Sequence, residues 1–455
     1  MPFIELKDFF LLPVYLIIIY ILAYSSRHRQ YSFRHPLYRY YIPALTVKII
    51  GSVCIGMVYQ YYYGIAGDTG NYFINAKMVT GVLNDSLIDF LELVFKPISS
   101  TLSLRNKIPW TDYGFGYSES NNFPVRFLAV LELITFKSYL PTAILFAFLT
   151  FQGIWKAYTA FVHMFPALYK EFAIAFLFMP SVFFWGSGIL KDALIMGALG
   201  WLFYSSYTFF ILRIKIVRSA IILFCSISVI VIVKPYVALA FLPSLLFWIF
   251  FQYRSRIQSY YLRAVALPVI IFMVVIGAIF IINAIGTRDE KYSADNLVNQ
   301  ASSFNTNNME AGSSVDLGVT PGMGPVQLLK IAPLAILTTL FRPFIFEVRN
   351  PLMLLSALEG IYLMYLLWLT LYKTGIKDFF RMIILNPLVS FCLVFSLVFA
   401  FAIGFSTSNF GTLVRYKIPC IPFFIAALYI IRYQALQARN LNRRPLKQIQ
   451  KTALN

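Results

Sequence analysis

The sequence predicts an all-α, polytopic transmembrane helical bundle of about eleven spans, with one re-entrant segment and helices lying along the outer interface. Three observations predict it. Mean hydropathy is +0.73, and only 13% of residues are charged, about half the fraction of an ordinary soluble domain. The apolar stretches are continuous rather than alternating, and several approach the roughly 20 residues that carry a helix across a bilayer. Inside hydrocarbon every backbone polar group must be satisfied within the protein, so a chain crosses as helices or as a closed barrel. Continuous runs select helices.

In chain order the spans are expected at 9–24, 44–63, 138–160, 171–187, 189–212, 217–233, 236–253, 262–284, 351–372, 381–403 and 417–432. The first follows no basic n-region and precedes no small-residue cleavage site, so it is expected to remain as a span. The link after it holds Arg27, Arg29, Arg34 and Arg39. A later link holds Arg213, Lys215 and Arg218, another Arg254, Arg256 and Arg263. The tail beyond Ile431 carries Arg432, Arg439, Arg443, Arg444, Lys447 and Lys451. All fall on one side when the N-terminus is outside and the C-terminus, with its basic tail 433–455, is cytoplasmic, as the positive-inside pattern requires. The net charge of +19 therefore belongs to cytoplasmic loops, and no nucleic-acid partner is expected. The whole chain, 1–455, is expected to form a single integral domain of a plasma (inner) membrane.

The segment 330–350, KIAPLAILTTLFRPFIFEVRN, is apolar enough to cross, but counting it as a span throws the basic tail outside. A re-entrant segment with both ends outside restores the charge pattern, and Pro333 and Pro343 suit a broken helix. Two long segments then lie outside, 64–137 and 285–350. The first contains the amphipathic stretches LIDFLELVF and RFLAVLELITF, which suit the outer interface. The second contains a long polar run, expected as a lid or as disorder.

The stretch YYYGIAGDTGNYFINA (61–76) opens the first external segment. Asp68 is followed at four-residue spacing by Tyr72 and Ala76. This arrangement resembles the first-loop motif of the GT-C superfamily of membrane glycosyltransferases. Those enzymes use polyprenyl-phosphate-linked sugars and place an Asp, then Tyr and a small residue at this spacing, at the outer end of an early span. The resemblance covers this motif and the many-helix layout. Family members often carry a second carboxylate after the Asp, where this chain has Thr69. The resemblance implies that Asp68 is catalytic and that Tyr72 lines the substrate site. Sugar transfer to a hydroxyl needs a base for the acceptor proton, and partial desolvation by the aromatic patch Tyr61–Tyr63 would make an interfacial carboxylate a better one. The competing assignment is a turn Asp between Gly67 and Gly70.

Three further stretches supply cations for a donor phosphate. In FWGSGILKDALIM (184–196), Lys191 and Asp192 open a helix after two glycines; Lys191 would hold phosphate at that helix N-terminus, or instead snorkel to headgroups. In FRPFIFEVRN (341–350), Arg342 and Arg349 would grip phosphate through bidentate guanidinium contacts, unless Glu347 pairs with one of them. In STSNFGTLVRYKIPCIP (406–422), Arg415 and Lys417 stand on the outer side, against the positive-inside trend, and would bind an anionic lipid phosphate or outer-leaflet headgroups. Trp110, Tyr113 and Tyr117 of the outer segment suit stacking on sugar rings.

Other chemistries leave no signature. His28, His35 and His163 have no metal-ligand spacing, and Cys54, Cys225, Cys392 and Cys420 lie in or beside apolar runs as small buried hydrophobes. No Walker A loop or nucleophile elbow occurs. No metal site is expected, and no cofactor is required by the sequence; divalent-cation dependence is left open. The function expected is transfer of a sugar from a polyprenyl-phosphate-linked donor to a glycan or lipid acceptor on the outer face, with membrane lipids as the remaining partners. A polysaccharide repeat-unit polymerase or ligase needs the same cations. A transporter or flippase of lipid-linked glycans instead needs ionisable groups within the bilayer. Glu359 is the clearest of these, with Lys48 and Glu132 near span ends.

The topology has a direct test. With native cysteines replaced, an impermeant thiol reagent added to intact cells should label Ser303→Cys in the long loop and spare Gln437→Cys in the tail. Labelling of the tail from outside would overturn the re-entrant assignment of 330–350.

Overall fold

A computed structural model describes residues 2–30, 36–254, 325–407 and 409–452. The expected span 262–284, residues Arg34, Arg256 and Arg263, and the polar run up to residue 324 lie outside these. Among the described residues the chain is helical without a strand, and nine helices are long and apolar enough to cross a bilayer. Each of the nine coincides with an expected span. The expected span 171–187 is broken instead. A short helix and a π turn end at Phe178, Met179 is extended, and Pro180 opens a new short helix. Proline has no N–H to continue a helix and drives the residue before it out of helical geometry.

The helices fall into two compact units, Met1–Ala238 and Leu239–Asn455. The first contains α1 (Leu6–Gln30), α2 (Tyr41–Met57, extended as a π turn to Tyr62), α3 (Gly67–Gly81), α4 (Leu87–Phe95) and α5 (Leu102–Arg105). It continues with α6 (Tyr113–Tyr117), α7 (Glu119–Ile134), α8 (Tyr139–Met164), α9 (Tyr169–Ala173), α10 (Pro180–Trp185), α11 (Lys191–Ser206) and α12 (Ile216–Val233). The boundary falls inside α13 (Pro235–Tyr253). The second unit contains α14 (Pro325–Phe341), α15 (Pro351–Thr374), α16 (Ile376–Leu385), α17 (Pro387–Ser406), α18 (Phe410–Tyr416) and α19 (Ile421–Thr452).

In the first unit α8 is central, packing on α1, α2 and α11. Its approach to α11 is close enough that only glycine fits. A Cβ at Gly153 would stand 1.8 Å from the Gly197 carbonyl oxygen, and one at Gly200 would stand 2.1 Å from that of Gly153. In a bilayer, where lipid tails are as apolar as side chains, this backbone proximity is itself a main source of helix association. The first turn of α8 is capped from a distance. Buried Asp8 of α1 accepts from Ser138 Oγ (2.5 Å) and the Leu140 N–H (2.8 Å), satisfying groups that a helix start leaves orphaned. Tyr139, fully buried, meets the rings of Phe3 (4.6 Å) and Phe73 (5.3 Å) and sits over Gly56.

The polar segment 64–137 folds into α3 to α7 and packs onto this bundle. α4 begins at a Ser86 cap (3.2 Å from the Asp89 N–H), buries Phe90, Leu93 and Val94, and exposes Leu87, Ile88, Leu91 and Phe95. The basic links gather at the opposite end of α8 from this segment. Arg39 stacks on Tyr169 (5.9 Å), just beyond the end of α8. Thr208 and Ser219 hydrogen-bond (2.9 Å) across the turn that carries Arg213 and Lys215. Of the cysteines, Cys392 and Cys420 are buried as expected, but Cys225 is exposed because it lies on the outward face of α12.

In the second unit α14 packs on α15 and α17. A Cβ at Gly404 would stand 2.4 Å from the Ala335 oxygen, and Thr339 donates to the Ala400 carbonyl (2.7 Å). The apolar part of α14, Lys330–Phe341, is below spanning length. Phe241 meets Phe391, Phe395 and Phe423 at 5.0–5.8 Å and joins α13, α17 and α19.

The glycine contact generates a stability test. Gly153→Ala and Gly200→Ala should each destabilise the purified protein by about 1–3 kcal/mol through overpacking. Gly81→Ala, whose Cβ would enter open space, should be neutral or stabilise by up to about 1 kcal/mol. Equal thermal midpoints for all three would refute the close approach of α8 and α11.

Candidate functional site

The Asp68 motif is not a loop. Gly64 (φ +66°) and Gly67 (φ +52°) turn the chain out of α2, and α3 starts at Gly67. Asp68 is thus half-buried in the first turn of a helix, where the dipole favours a carboxylate. The preceding Tyr61, Tyr62 and Tyr63 are exposed and form no enclosing patch. Asp68, Tyr72 and Ala76 share one face of α3, as four-residue spacing dictates. Tyr72 is only 3% exposed and Ala76 fully buried. The Tyr72 ring packs edge-on against Phe115 (5.1 Å), and its hydroxyl donates to Asn121 Oδ1 (3.3 Å). Thr69, standing where a second carboxylate was anticipated by resemblance, is buried against the Tyr139 hydroxyl (2.7 Å). Of the motif, only Asp68 reaches the rim; Tyr72 and Ala76 hold α3 in place.

Lys191 opens α11 and is half-exposed, its Nζ donating to Ser120 Oγ (3.0 Å). Ser120 and Asn121 are neighbours on the first turn of α7. The motif helix and the start of α11 therefore meet on one short polar turn. The N-cap of α11 is Leu190, which provides no side-chain hydrogen bond. Directly behind, buried Asp192 forms an ion pair with Lys234 at the end of α12.

The cations of the second unit are engaged differently. Arg342 pairs with Glu347, through Nη2 to Oε1 and through Nε to Oε2 (3.3 Å). Its guanidinium also lies over the rings of Phe344 (5.5 Å) and Phe410 (5.6 Å). The pairing named as the competing assignment is the one formed. Lys417 is fully buried and donates to the Arg342 carbonyl (3.2 Å). Arg415 is half-buried beside Tyr416 (5.8 Å), on a helix capped by Asn409. Arg349 is exposed. The structure brings together Arg342, Glu347 and Lys417, and in the first unit Tyr72 and Lys191.

Two residues of the segment 64–137 matter beyond those the motifs singled out. Arg105 is fully buried, and all of its nitrogens are used. Nε donates to Thr101 (2.8 Å), Nη1 to the Gly116 carbonyl (2.8 Å), and Nη2 to Asn122 Oδ1 (3.1 Å) and the Leu93 carbonyl (3.4 Å). Burial, with Arg126 nearby, brings its pKa down to about 10, so it stays charged. Trp110 stacks on it (5.8 Å) and donates to its carbonyl (2.9 Å), while Tyr117 donates to Asn106. Trp110 and Tyr117 thus serve the local fold. The signal for Arg105 was a lone Arg within an apolar, Thr- and Trp-flanked stretch, TLSLRNKIPW.

Glu132 of α7 is 1% exposed. Its Oε2 lies 3.1 Å from Thr80 Oγ1, and Oε1 has no hydrogen-bond partner among the described residues. Thr80 Oγ1 donates to Oε2 but also reaches the Ala76 carbonyl (2.8 Å) and the Ala129 carbonyl (3.3 Å), so one hydroxyl proton is shared among three acceptors. Burial raises the Glu132 pKa to about 8, against the Thr80 contact.

Neither a family model, a curated protein nor a solved structure matches this chain. Its residues must carry the functional argument.

Glu132 makes stability depend on pH with a definite sign. Below the ordinary carboxyl value of 4.5 folded and unfolded chains both hold the proton. Between that value and about 8 the unfolded chain releases it and the folded chain keeps it, so stability falls as pH rises, by up to about 1.4 kcal/mol per unit. Above that window the loss is complete. Glu132→Gln should raise the thermal midpoint over native by an increment that grows from pH 5 to pH 8. Parallel curves would refute the neutral carboxyl.

Proposed function

We propose that this chain is an inverting membrane glycosyltransferase of GT-C type, acting on the outer face of a plasma membrane. It transfers a sugar from a polyprenyl-phosphate-linked donor to a glycan or lipid hydroxyl. The observation that carries this reading is the meeting of Tyr72 and Lys191 on the first turn of α7. Asp68 stands one helical turn before Tyr72 on the same helix, and Asp68 and Lys191 each sit in the first turn of a helix, α3 and α11.

In the proposed reaction the acceptor oxygen attacks the anomeric carbon while the bond from that carbon to the donor phosphate oxygen breaks. Asp68 takes the acceptor proton, and the polyprenyl phosphate leaves with the bonding electron pair. Lys191 and the N–H groups at the start of α11 hold the departing phosphate. Arg342 and Lys417 have internal partners, so a bracing role suits them better than phosphate binding. Arg349 and Arg415 remain proposed contacts for lipid headgroups or phosphate in the second unit. The polymerase or ligase alternative uses the same first-unit groups with a longer glycan. The transporter alternative rests on Glu359, whose burial also suits a static bundle.

Asp68→Asn keeps the shape of the side chain and removes its basicity, so turnover at saturating donor should fall roughly 10²–10⁴-fold with the fold intact. Lys191→Gln should raise KM for the donor as well as lower kcat, because the phosphate is charged in ground and transition states alike. Sugar transfer by purified variants with a polyprenyl-phosphate sugar is the measurement. Near-native turnover of Asp68→Asn would sink the mechanism.

A further inference from the structure

The expected span 381–403 conceals a separate helix. After α15, Gly375 takes φ +78° and the chain restarts as α16 (Ile376–Leu385). Asn386 then caps α17, its Oδ1 accepting from the N–H groups of Leu388 (3.0 Å) and Val389 (3.2 Å). Ten residues make about 15 Å of helix, half of a bilayer core. Joined at both ends to helices of spanning length, α16 lies across their shared end. It packs on α15, α17 and α19 and buries Phe379.

The face left outside is not the polar one of a water-exposed helix. Ile376, Phe380 and Ile384 recur at four-residue spacing and are 69%, 58% and 79% exposed. Alongside this stripe run Lys377 and Arg381, also four apart and exposed. Asp378 is the one acid of the helix and is half-buried. The last turns of α15 carry exposed Tyr365, Trp368 and Tyr372 to the same end, with Trp368 and Tyr372 stacked at 5.5 Å, and exposed Lys373 follows. Arg439 of α19 joins them, donating to the Thr374 carbonyl (3.0 Å).

Each part suits one depth of a lipid leaflet. The apolar stripe requires cover, since exposed Ile and Phe in water forfeit their transfer free energy. Trp and Tyr rings sit at headgroup level. Cations beside an apolar stripe reach phosphates while their stems stay in the apolar layer.

We propose that α16 is an in-plane helix that docks onto anionic phospholipid. Ile376, Phe380 and Ile384 enter the acyl boundary; Lys373, Lys377 and Arg381 hold the headgroup phosphates. The apolar stripe is satisfied by any phospholipid, so the cations alone create the preference for anionic lipid. Each basic residue near an anionic surface contributes about fivefold, so a preference on the order of tenfold is expected after screening by salt.

The test uses the full chain with Cys54 and Cys225 replaced by Ser and a bimane probe on Ile384→Cys, reconstituted in phosphatidylcholine vesicles. Brominated phosphatidylcholine and brominated phosphatidylglycerol are then compared as quenchers. Both should quench, with the anionic lipid favoured on the order of tenfold. In Lys377→Gln/Arg381→Gln, which alters only exposed side chains, quenching should persist while the preference falls to within about twofold. Equal quenching of the native sequence by the two lipids would overturn the proposal. So would an unquenched probe, including one that becomes quenched only on dilution because a second copy of the chain covered it.

Discussion

The segment 64–137 depends on one buried guanidinium. Arg105 ties together the end of α4, the 101–105 turn, α6 and the start of α7, spending its donors on two carbonyls, a hydroxyl and an amide. Of these, α5 and α6 have only four and five residues, and helices that short do not hold their own shape in water. A charge taken out of water is tolerated only when its hydrogen bonds are replaced, so the surrounding carbonyls and Asn122 are held to one arrangement. That arrangement places Ser120 and Asn121, and through them the meeting point of Tyr72 and Lys191.

The same economy governs the rest of the molecule. In a chain this apolar, almost every ionisable group near the bundle has a partner. Asp8 caps α8, Lys48 donates to the Gly186 carbonyl, Asp192 takes Lys234, and Arg342 takes Glu347. Glu132 has only the Thr80 hydroxyl on one carboxyl oxygen and, among the described residues, no hydrogen-bond partner on the other. The proposed chemistry is assigned to groups at the rim, Asp68 and Lys191, half-buried and set at helix starts. The D-x3-Y-x3-A pattern has two jobs: its first position faces the rim, while the other two bury the helix against α7.

Two amphipathic helices complete the picture. α4 and α16 each bury one face in the protein and expose an apolar one. Between them and the spans, the chain's apolar surface is divided between protein packing and the faces that a bilayer would cover. Close backbone contacts at Gly153, Gly200 and Gly404 supply the association that apolar burial cannot drive inside lipid.

The sequence by itself determined the all-α membrane class and the register of nine helices, because a bilayer imposes length and apolarity residue by residue and composition reports both directly. The Asp68, Tyr72 and Ala76 spacing was legible there as a loop motif, and only the structure showed that the three share one face of α3. The sequence did not determine that Pro180 breaks the expected span 171–187, or that α16 is separate from α17, because hydropathy averages across a break. Partner choice was beyond it. That Arg342 takes Glu347, that Thr69 meets Tyr139 seventy positions away, and that Arg105 organises the segment 64–137 were decided only by tertiary structure. The physical reason is that a polar group's role depends on which hydrogen-bonding groups surround it once water is excluded, and those come from distant parts of the chain.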